Sequence, residues 1–245
     1  MKPVTVLPVD AKHYRPDIDG LRALAVLVVL FFHFDVETFG GGFIGVDVFF
    51  VISGFLITRL IIAAVGEGSF TFGGFYLRRV RRLAPALLFT IAACFLLGCL
   101  LFSPQHLQRL GGSSLHGLLS LSNFFFWHES GYFDAVSSVK PLLHLWSLSV
   151  EEQFYLVWPL TLVLLQIPRA FRIFTPVMIL LAGVASWLFS EWWLGVDSSA
   201  AFYLLPSRIF EFCMGAIMVW LVEFRVRAWC KEVALAIGLG LIMYA

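Results

Sequence analysis

The sequence predicts an all-α protein, a polytopic transmembrane helix bundle, on two observations. The chain of 245 residues is 60% hydrophobic and 13% charged, which is about half the charged fraction of a soluble domain. Apolar runs near the length that crosses a bilayer, about 18 residues or more, recur along it. The formal net charge is +1, so bulk charge does not indicate a nucleic-acid partner. Four cysteines without CxxC or zinc-finger spacing predict neither a disulfide nor a metal site.

The apolar runs predict about seven spans and one segment of a different kind. The predicted spans are 21–38, 43–65, 83–102, 144–166, 173–193, 202–222 and 232 to the end. Between the third and fourth spans, the piece "PQHLQRLGGSSLHGLLSLSNFFFW" contains a glycine pair and several serines. We therefore expect 103–143 to form an interfacial or re-entrant helix, or else two short crossings. The last run, "ALAIGLGLIMYA", has no polar cap, so we expect 1–245 to be part of a longer transmembrane domain of roughly ten spans.

Basic clusters beside the spans predict the orientation. All four clusters can face the cytoplasm if spans one, three, 173–193 and the last run outward and the others run inward. The first residues have no A-x-A cleavage pattern and read as a short cytoplasmic leader. The clusters are Lys12, Arg15 and Arg22; Arg78, Arg79, Arg81 and Arg82; Arg169 and Arg172; and Arg225, Arg227 and Lys231.

The first span, "IDGLRALAVLVVLFFHF", begins with Arg22 and ends near His33. Eleven residues, about three helical turns, put the two on nearly one face and about 16 Å apart. Arg22 then lies near the cytoplasmic boundary, where the positive-inside rule alone explains it. His33 reaches the outer half of the bilayer. A hydrogen-bonded packing role is the simpler interpretation of His33, but an ionisable group at that depth indicates a functional site.

The second span, "GGFIGVDVFFVISGFLITRL", contains Asp47 close to its outer end. The glycine-rich loop before it predicts two antiparallel neighbouring helices, which would put Asp47 at the depth of His33. A carboxylate beside a histidine can orient the imidazole and stabilise the imidazolium. The alternative is that Asp47 only caps its helix, but a buried aspartate needs a partner, which favours the dyad. Ser53 and Gly54 are expected to serve close helix packing.

Four arginines in five residues precede the third span in "FYLRRVRRLAPALL". Membrane topology and attraction to anionic lipids explain any basic cluster of this kind. Every cation here is arginine, however, and guanidinium groups suit bidentate phosphate binding. The cluster therefore indicates a phosphate-bearing ligand in the cytosol.

Two carboxylates, Glu151 and Glu152, occur about a third of the way into the run "KPLLHLWSLSVEEQFYLVWPL". Neighbouring helical residues differ by about 100°, so only one can point into the bundle, at a depth we expect to match His33. A structural polar network between helices is the alternative. Intramembrane carboxylates are costly, which favours a functional role. The aromatic residues around them are expected to pack or to belt the interface.

These stretches together resemble the bacterial acyltransferase-3 family of membrane O-acyltransferases. The resemblance covers about residues 14–166, and the rest agrees only in hydropathy. In detail, this chain is similar to the O-antigen acetylase and peptidoglycan O-acetyltransferase branch of the family. Members of that branch often carry a C-terminal SGNH-type domain. The matching residues are "RPDIDGLRALAVLVVLFFHF", "GGFIGVDVFFVISGFLIT", "FYLRRVRRLAPAL" and "PLLHLWSLSVEEQFYLVWP".

The resemblance implies about ten spans, acetyl-CoA or another acyl-CoA as cytosolic donor, and a hydroxyl of a cell-surface glycan as acceptor. That glycan would be O-antigen, peptidoglycan or exopolysaccharide, in a bacterial inner membrane. The R-x10-H pair of the family falls on Arg22 and His33, its arginine motif on Arg79, Arg81 and Arg82, and the glutamate of "VEEQFY" on Glu152.

We therefore expect an acyltransferase without a metal. In this hypothesis Arg79, Arg81 and Arg82, with Arg22, hold the phosphates of the donor. His33, oriented by Asp47 or Glu152, acts as general base or as a transient acyl carrier. A proton-coupled transporter would also use intramembrane His, Asp and Glu, but the arginine cluster and the lack of an inverted repeat favour the enzyme. A membrane scaffold or sensor is the third alternative.

Overall fold

The computed structural model describes residues 15–34, 36, 39–130, 140–166, 169–222 and 227–244. These ranges contain ten α-helices and no strand, so the predicted all-α class is confirmed. Lys12 and Arg225 fall outside them, and the side chains of Arg169, Arg172 and Lys231 are also outside the description. The helices are α1 (Pro16–His33), α2 (Ile44–Gly66), α3 (Phe72–Leu101), α4 (Pro104–Leu118), α5 (Ser122–Glu129), α6 (Leu145–Gln166), α7 (Arg169–Leu194), α8 (Ser198–Tyr203), α9 (Leu205–Leu221) and α10 (Ala228–Tyr244).

Among the described residues, five helical segments are long and apolar enough to cross a membrane, and each coincides with a predicted span. They are Ile44–Gly66, Phe72–Leu101, Leu145–Gln166, Ile173–Leu194 and Ser198–Leu221. The two remaining predicted spans correspond to α1, which has three charged residues in its first two turns, and to α10, which is 17 residues long. The chain is therefore a membrane helix bundle.

The helices belong to two compact units. The first unit comprises 1–66, 165–184 and 210–245, and the second comprises 67–164 and 185–209.

In the first unit, α1 and α2 form the antiparallel hairpin that the short glycine-rich loop predicts. A side chain at Gly45 would lie 2.5 Å from the carbonyl oxygen of Ala25, and one at Gly42 would overlap that of Val28. Backbones that approach this closely leave room only for glycine, the usual way helices associate in lipid.

A second close crossing joins α2 to α9. A Cβ on Gly54 would overlap the backbone of Phe212, and a Cβ on Gly215 would overlap the backbone of Val51. Beside the crossing, the rings of Phe50 and Phe212 stack with centroids 4.7 Å apart. The packing role predicted for Gly54 is confirmed, with Gly215 as its counterpart on α9.

In the second unit, α4 and α5 form a helical hairpin. At the end of α3 the chain turns back, and Leu107 and Leu110 of α4 contact Gly98 of α3. α5 then runs antiparallel to α4, since Gly112 meets Phe125. With 15 and 8 residues, about 22 and 12 Å, α4 and α5 are too short to cross a bilayer.

Asp197 ties the hairpin to α8. Its carboxylate accepts hydrogen bonds from the backbone N–H of Ala200, at 2.9 Å, and from Nε1 of Trp127 on α5, at 3.0 Å. These bonds, the backbone one first, hold the pKa of the Asp197 carboxyl below its ordinary value. The charged form therefore both caps α8 and anchors α5 at neutral pH.

The α2–α9 crossing gives a first prediction. We expect Gly54→Ala to lower the stability of the purified protein by about 1–3 kcal/mol, because the new methyl group must displace the α9 backbone. The matched control is Gly66→Ala in the same helix, where a Cβ meets nothing within 4 Å. Thermal unfolding in detergent measures both, and equal melting temperatures for the two variants would contradict the crossing.

Candidate active site

Arg79 of α3 lies against two side chains of α6. Its Nη2 is 4.0 Å from Oε1 of Glu151, and its Cζ is 3.7 Å from the centroid of the Tyr155 ring. A guanidinium in this position is attracted both by the carboxylate and by the face of the ring. Only 15% of the Arg79 side chain is exposed, so solvent screens these interactions little.

Glu151 and Tyr155 are four residues apart and therefore lie on one face of α6. The Tyr155 hydroxyl donates a hydrogen bond to Glu151, which fixes the carboxylate toward Arg79. One turn before Arg79, the hydroxyl of Tyr76 donates to the carbonyl oxygen of Leu156 at 2.9 Å. The two contacts set α3 and α6 antiparallel.

Glu152 adds a second carboxylate to this cluster. It lies within electrostatic range of both Arg79 and Glu151. Its Oε1 is buried and has no hydrogen-bond partner among the described residues, and the same holds for Nε of Arg79. Buried polar atoms are nearly always paired in native proteins. The cluster therefore contains one unpaired acceptor and one unpaired donor, and both atoms are shielded from solvent.

Gln153, the next residue, joins α6 to the tip of the α4–α5 hairpin. Its Nε2 donates to Oδ1 of Asn123 at 2.8 Å and to the carbonyl oxygen of Ser120 at 2.9 Å. Nδ2 of the fully buried Asn123 donates back to Gln153 at 3.4 Å and to the Tyr203 carbonyl oxygen at 3.2 Å. Sequence reasoning missed both amides. An amide directly after two glutamates in an apolar run was the available signal, because such a group needs partners.

The hairpin also corrects the predicted depth of the glutamates. We expected the arginines at the cytoplasmic mouth and the glutamates in the outer part of their span, and this separation is wrong. Leu145, the first residue of α6, packs beside Ile91, which is ten residues, about 15 Å, before the end of α3. Because the chain folds back before α6 begins, Glu151 comes to the level of Arg79.

The other three arginines of the cluster are exposed. Nη1 of Arg78 lies back toward Gly74 on its own helix. Within the described part of the chain, no side-chain hydrogen bond or ion pair engages Arg81 or Arg82. The structure thus separates one partly buried arginine, which faces a carboxylate, from solvent-facing ones whose donors are available to a ligand.

Arg22, His33 and Asp47 belong to the first unit. Arg22 and His33 lie on the one continuous helix α1, so the predicted separation of about 16 Å applies. Arg22 pairs with Asp19 at 3.6 Å. His33 is the last residue of α1, with its ring exposed and 5.5 Å from the ring of Phe32.

The register of the α1–α2 hairpin does not bring Asp47 to the depth of His33. Gly45 faces Ala25 and Val29, so in an antiparallel pair Asp47 falls about level with Ala25. That level is eight residues, about 12 Å, from His33 along the helix axis, and closer to Arg22. The loop between the helices is longer than the sequence reasoning assumed, because α1 ends at His33 and α2 begins at Ile44.

The described ranges contain no cluster of side chains suited to binding a metal ion. No three His, Cys, Asp or Glu side chains come together there as ligands for an ion.

Comparison with known proteins identifies the family of this chain. The model of the acyltransferase-3 family, described as "Acyltransferase domain", matches residues 15–245. The chain is 38% identical over 213 residues to YrhL of Bacillus subtilis, which covers 84% of this chain and 33% of YrhL. It is 36% identical over 218 residues to the peptidoglycan O-acetyltransferase OatA of Listeria monocytogenes, which covers 87% of this chain and 35% of OatA. No solved structure gives a significant match.

The chain belongs to the acyltransferase-3 family. It spans about a third of the length of the curated relatives it matches.

The Arg79 cluster gives a second prediction. We expect Arg79→Gln to lower stability by on the order of 1–3 kcal/mol, because Glu151 and Glu152 lose the cation that faces them. Arg82→Gln, an exposed arginine on the same helix, is the matched control and should leave stability unchanged. Thermal unfolding in detergent distinguishes the variants. Equal loss in both would show that Arg79 makes no more than a surface contact.

Proposed function

We propose that this chain is the membrane acyltransferase domain of a bacterial protein that moves an acetyl group from acetyl-CoA to a hydroxyl of a cell-surface glycan. The observation that carries the proposal is the Arg79–Glu151–Tyr155 cluster with the unpaired buried oxygen of Glu152 beside it. Unpaired, ionisable groups inside a membrane helix pair are costly and mark a reaction site more often than a packing site.

In this proposal the donor binds from the arginine side of the membrane, which the positive-inside rule places in the cytoplasm together with the N-terminus. Arg81 and Arg82, with their exposed guanidinium groups, contact the phosphates of the donor. Arg22, which flanks the first span, is a further phosphate contact. Arg79, two residues before Arg81 on the same helix, is another phosphate contact in the proposal, and its contacts with Glu151 and Tyr155 hold it in place.

His33 carries the proton or the acyl group. As a general base it takes the proton of the glycan hydroxyl while the hydroxyl oxygen attacks the thioester carbonyl. The new ester then forms as the C–S bond breaks, and the proton passes to the leaving thiolate to give free CoA. As an acyl carrier, the imidazole forms and loses an acyl bond in two successive transfers.

Glu152 is the second proton-handling group in the proposal. Its buried oxygen can accept a proton or a hydroxyl hydrogen bond, and the guanidinium group of Arg79 lies within electrostatic range of it. Asp47, level with Ala25 rather than with His33, is assigned a supporting electrostatic role on the α1–α2 hairpin.

The acceptor we favour is peptidoglycan, with O-antigen and exopolysaccharide as the alternatives. The name of the Listeria relative supports this choice. Because the relatives are longer, an additional domain of the SGNH type is the partner we expect for release or placement of the acetyl group.

A third prediction tests the phosphate contacts. Replacing both Arg81 and Arg82 by Gln should raise the KM for acetyl-CoA by roughly tenfold or more and change kcat little, because charge-assisted bonds to the bound donor are lost. Arg227→Gln removes an exposed arginine from another predicted cytoplasmic end and serves as control. If the double variant and the control have the same KM, the arginines serve topology or lipid binding instead.

A fourth prediction tests His33. His33→Gln should lower kcat by about 10²–10⁴-fold without loss of protein from the membrane, because Gln can neither take a proton nor carry an acyl group. His128→Gln, at another exposed histidine, should retain full activity. Transfer of labelled acetyl groups to isolated cell-wall glycan measures both. Full transfer by His33→Gln would exclude either catalytic role.

A further inference from the structure

Gln153 and Asn123 form a reciprocal pair of amides in the second unit. The two N–H groups of Gln153 donate to Oδ1 of Asn123, at 2.8 Å, and to the carbonyl oxygen of Ser120, at 2.9 Å. The two N–H groups of Asn123 donate to Oε1 of Gln153, at 3.4 Å, and to the carbonyl oxygen of Tyr203, at 3.2 Å. All the N–H groups of both amides are therefore engaged, which fixes the orientation of each amide.

A further bond from the same hairpin reaches the same face of α6. The backbone N–H of Ser122, the first residue of α5, donates to Oγ of Ser149 at 3.1 Å. Ser149 and Gln153 are four residues apart, so they lie on one face of α6. Ser122 and Asn123 are fully buried and Ser149 nearly so. Because water does not reach these groups, solvent cannot replace a bond that is lost there.

The opposite face of α6 carries the contacts with Arg79. Each residue turns an α-helix by about 100°, so Glu151 and Tyr155 point about 160° away from Gln153. Both contact Arg79 of α3. Glu152 lies about 100° from Gln153, on the flank between the two faces. α6 is thus held by the hairpin on one face and by α3 on the other, and its rotation between them sets the direction of the Glu152 carboxylate.

We propose that Gln153 and Asn123 are positioning residues of the acyl transfer, because their amide pair fixes the rotation of α6 and with it the place of Glu152. The inference rests on the proposed function, in which Glu152 handles a proton. A rotation of α6 by about 20° moves a side-chain atom at a radius of about 6 Å by roughly 2 Å. A misplacement of about 1 Å can cost on the order of 10²-fold in rate. An amide pair that only stabilised the fold would leave the rate of the folded enzyme unchanged.

The same hairpin offers a matched control. Nε1 of Trp127 on α5 donates to the carboxylate of Asp197 at 3.0 Å, a bond that anchors α5 to the start of α8 and does not involve α6. Trp127→Phe removes this bond, and Gln153→Met removes the bonds to α6. Each variant takes buried hydrogen bonds away from the hairpin, so we expect both to lower the melting temperature. Only Gln153→Met should affect the reaction.

The first measurement is acetyl transfer by the intact protein in nanodiscs, at a temperature where all variants are folded. We expect Gln153→Met to lower kcat by roughly 10–100-fold and to leave the KM for acetyl-CoA within about twofold of the wild type, because the phosphate contacts on α3 are unchanged. Trp127→Phe should keep the wild-type kcat. A wild-type kcat in Gln153→Met would overturn the proposal, as would an equal loss of kcat in Trp127→Phe.

A double variant separates positioning from stability. Asn123→Leu combined with Gln153→Met replaces both amides by apolar side chains, so it should be more stable than Gln153→Met alone, which leaves Asn123 buried without its partner. We expect kcat to stay low in the double variant, because apolar contacts have no direction and do not fix the rotation of α6. Recovery of kcat together with stability would show that the amides only stabilise the fold.

A distance between two spin labels measures the rotation of α6 without any activity. The labels replace the exposed residues Leu160 of α6 and Phe89 of α3, in a background whose four native cysteines are replaced by alanine. Trp127→Phe should give the wild-type distance distribution, and Gln153→Met a distribution shifted or broadened by roughly 2 Å or more. Equal distributions in all three proteins would overturn the proposal. If the distances change as expected and the wild type transfers no acetyl group, the proposed function fails while the control of α6 by the amides stands.

Ser149→Ala takes the place of Gln153→Met if that variant does not fold. It removes the acceptor of the Ser122 N–H on the same face of α6 and adds no bulk. We expect a smaller effect of the same kind, with kcat lowered by roughly threefold or more and an unchanged KM for acetyl-CoA. A wild-type kcat together with a wild-type label distance in Ser149→Ala would count against the proposal in the same way.

Discussion

A bilayer gives almost no solvation to an ionised side chain. In the second unit, the contacts with Glu151 and Tyr155 stabilise the charge of Arg79 in place of water. The guanidinium has a carboxylate on one side and an aromatic face on another, so its charge is compensated within one helix pair. The contact also fixes the register of α3 against α6 and thereby the position of Glu152. A carboxylate with an unpaired oxygen is tolerable there because a cation is already close.

The α4–α5 hairpin follows from the same constraint. α4 is rich in polar residues and could not face lipid as a full span, but as a short helix packed on α3 it keeps its serines and glycines against protein. Ser113 and Ser114 bond to the Leu110 carbonyl oxygen of the same helix, which satisfies their hydroxyls without water. The hairpin also brings the polar groups of Ser120 and Asn123 to the side of Gln153.

Much of this fold follows from the sequence, and the reasons for the exceptions are physical. Apolar length and the glycine-rich loop identified the long helices, the α1–α2 hairpin and the packing role of Gly54, because these are local properties of the chain. The depth of Glu151 could not be predicted, since it depends on how far the chain folds back before α6 begins. Asp47 was misplaced for a related reason, since the register of two helices is set by which glycines meet which backbone.

The candidate residues were identified by their residue type and their position in apolar runs. Their catalytic roles remain predictions. Sequence reasoning treated the four arginines as one group. Burial distinguishes Arg79 from Arg81 and Arg82, and no pattern in "LRRVRR" encodes that difference before the partner helix is known. Gln153 and Asn123 were overlooked because amides carry no charge to draw attention in an apolar run.

The side chains of Gln153 and Asn123 hold the hairpin against α6 without any charge. The reciprocal bonds between Gln153 and Asn123 involve no group that titrates, whereas both neighbours on the N-terminal side of Gln153 are carboxylates. A proton can arrive at or leave Glu152 without altering the joint that seats the hairpin on α6. In the proposed reaction, the hydrogen bonds that hold the hairpin against α6 therefore do not depend on the charge of Glu152.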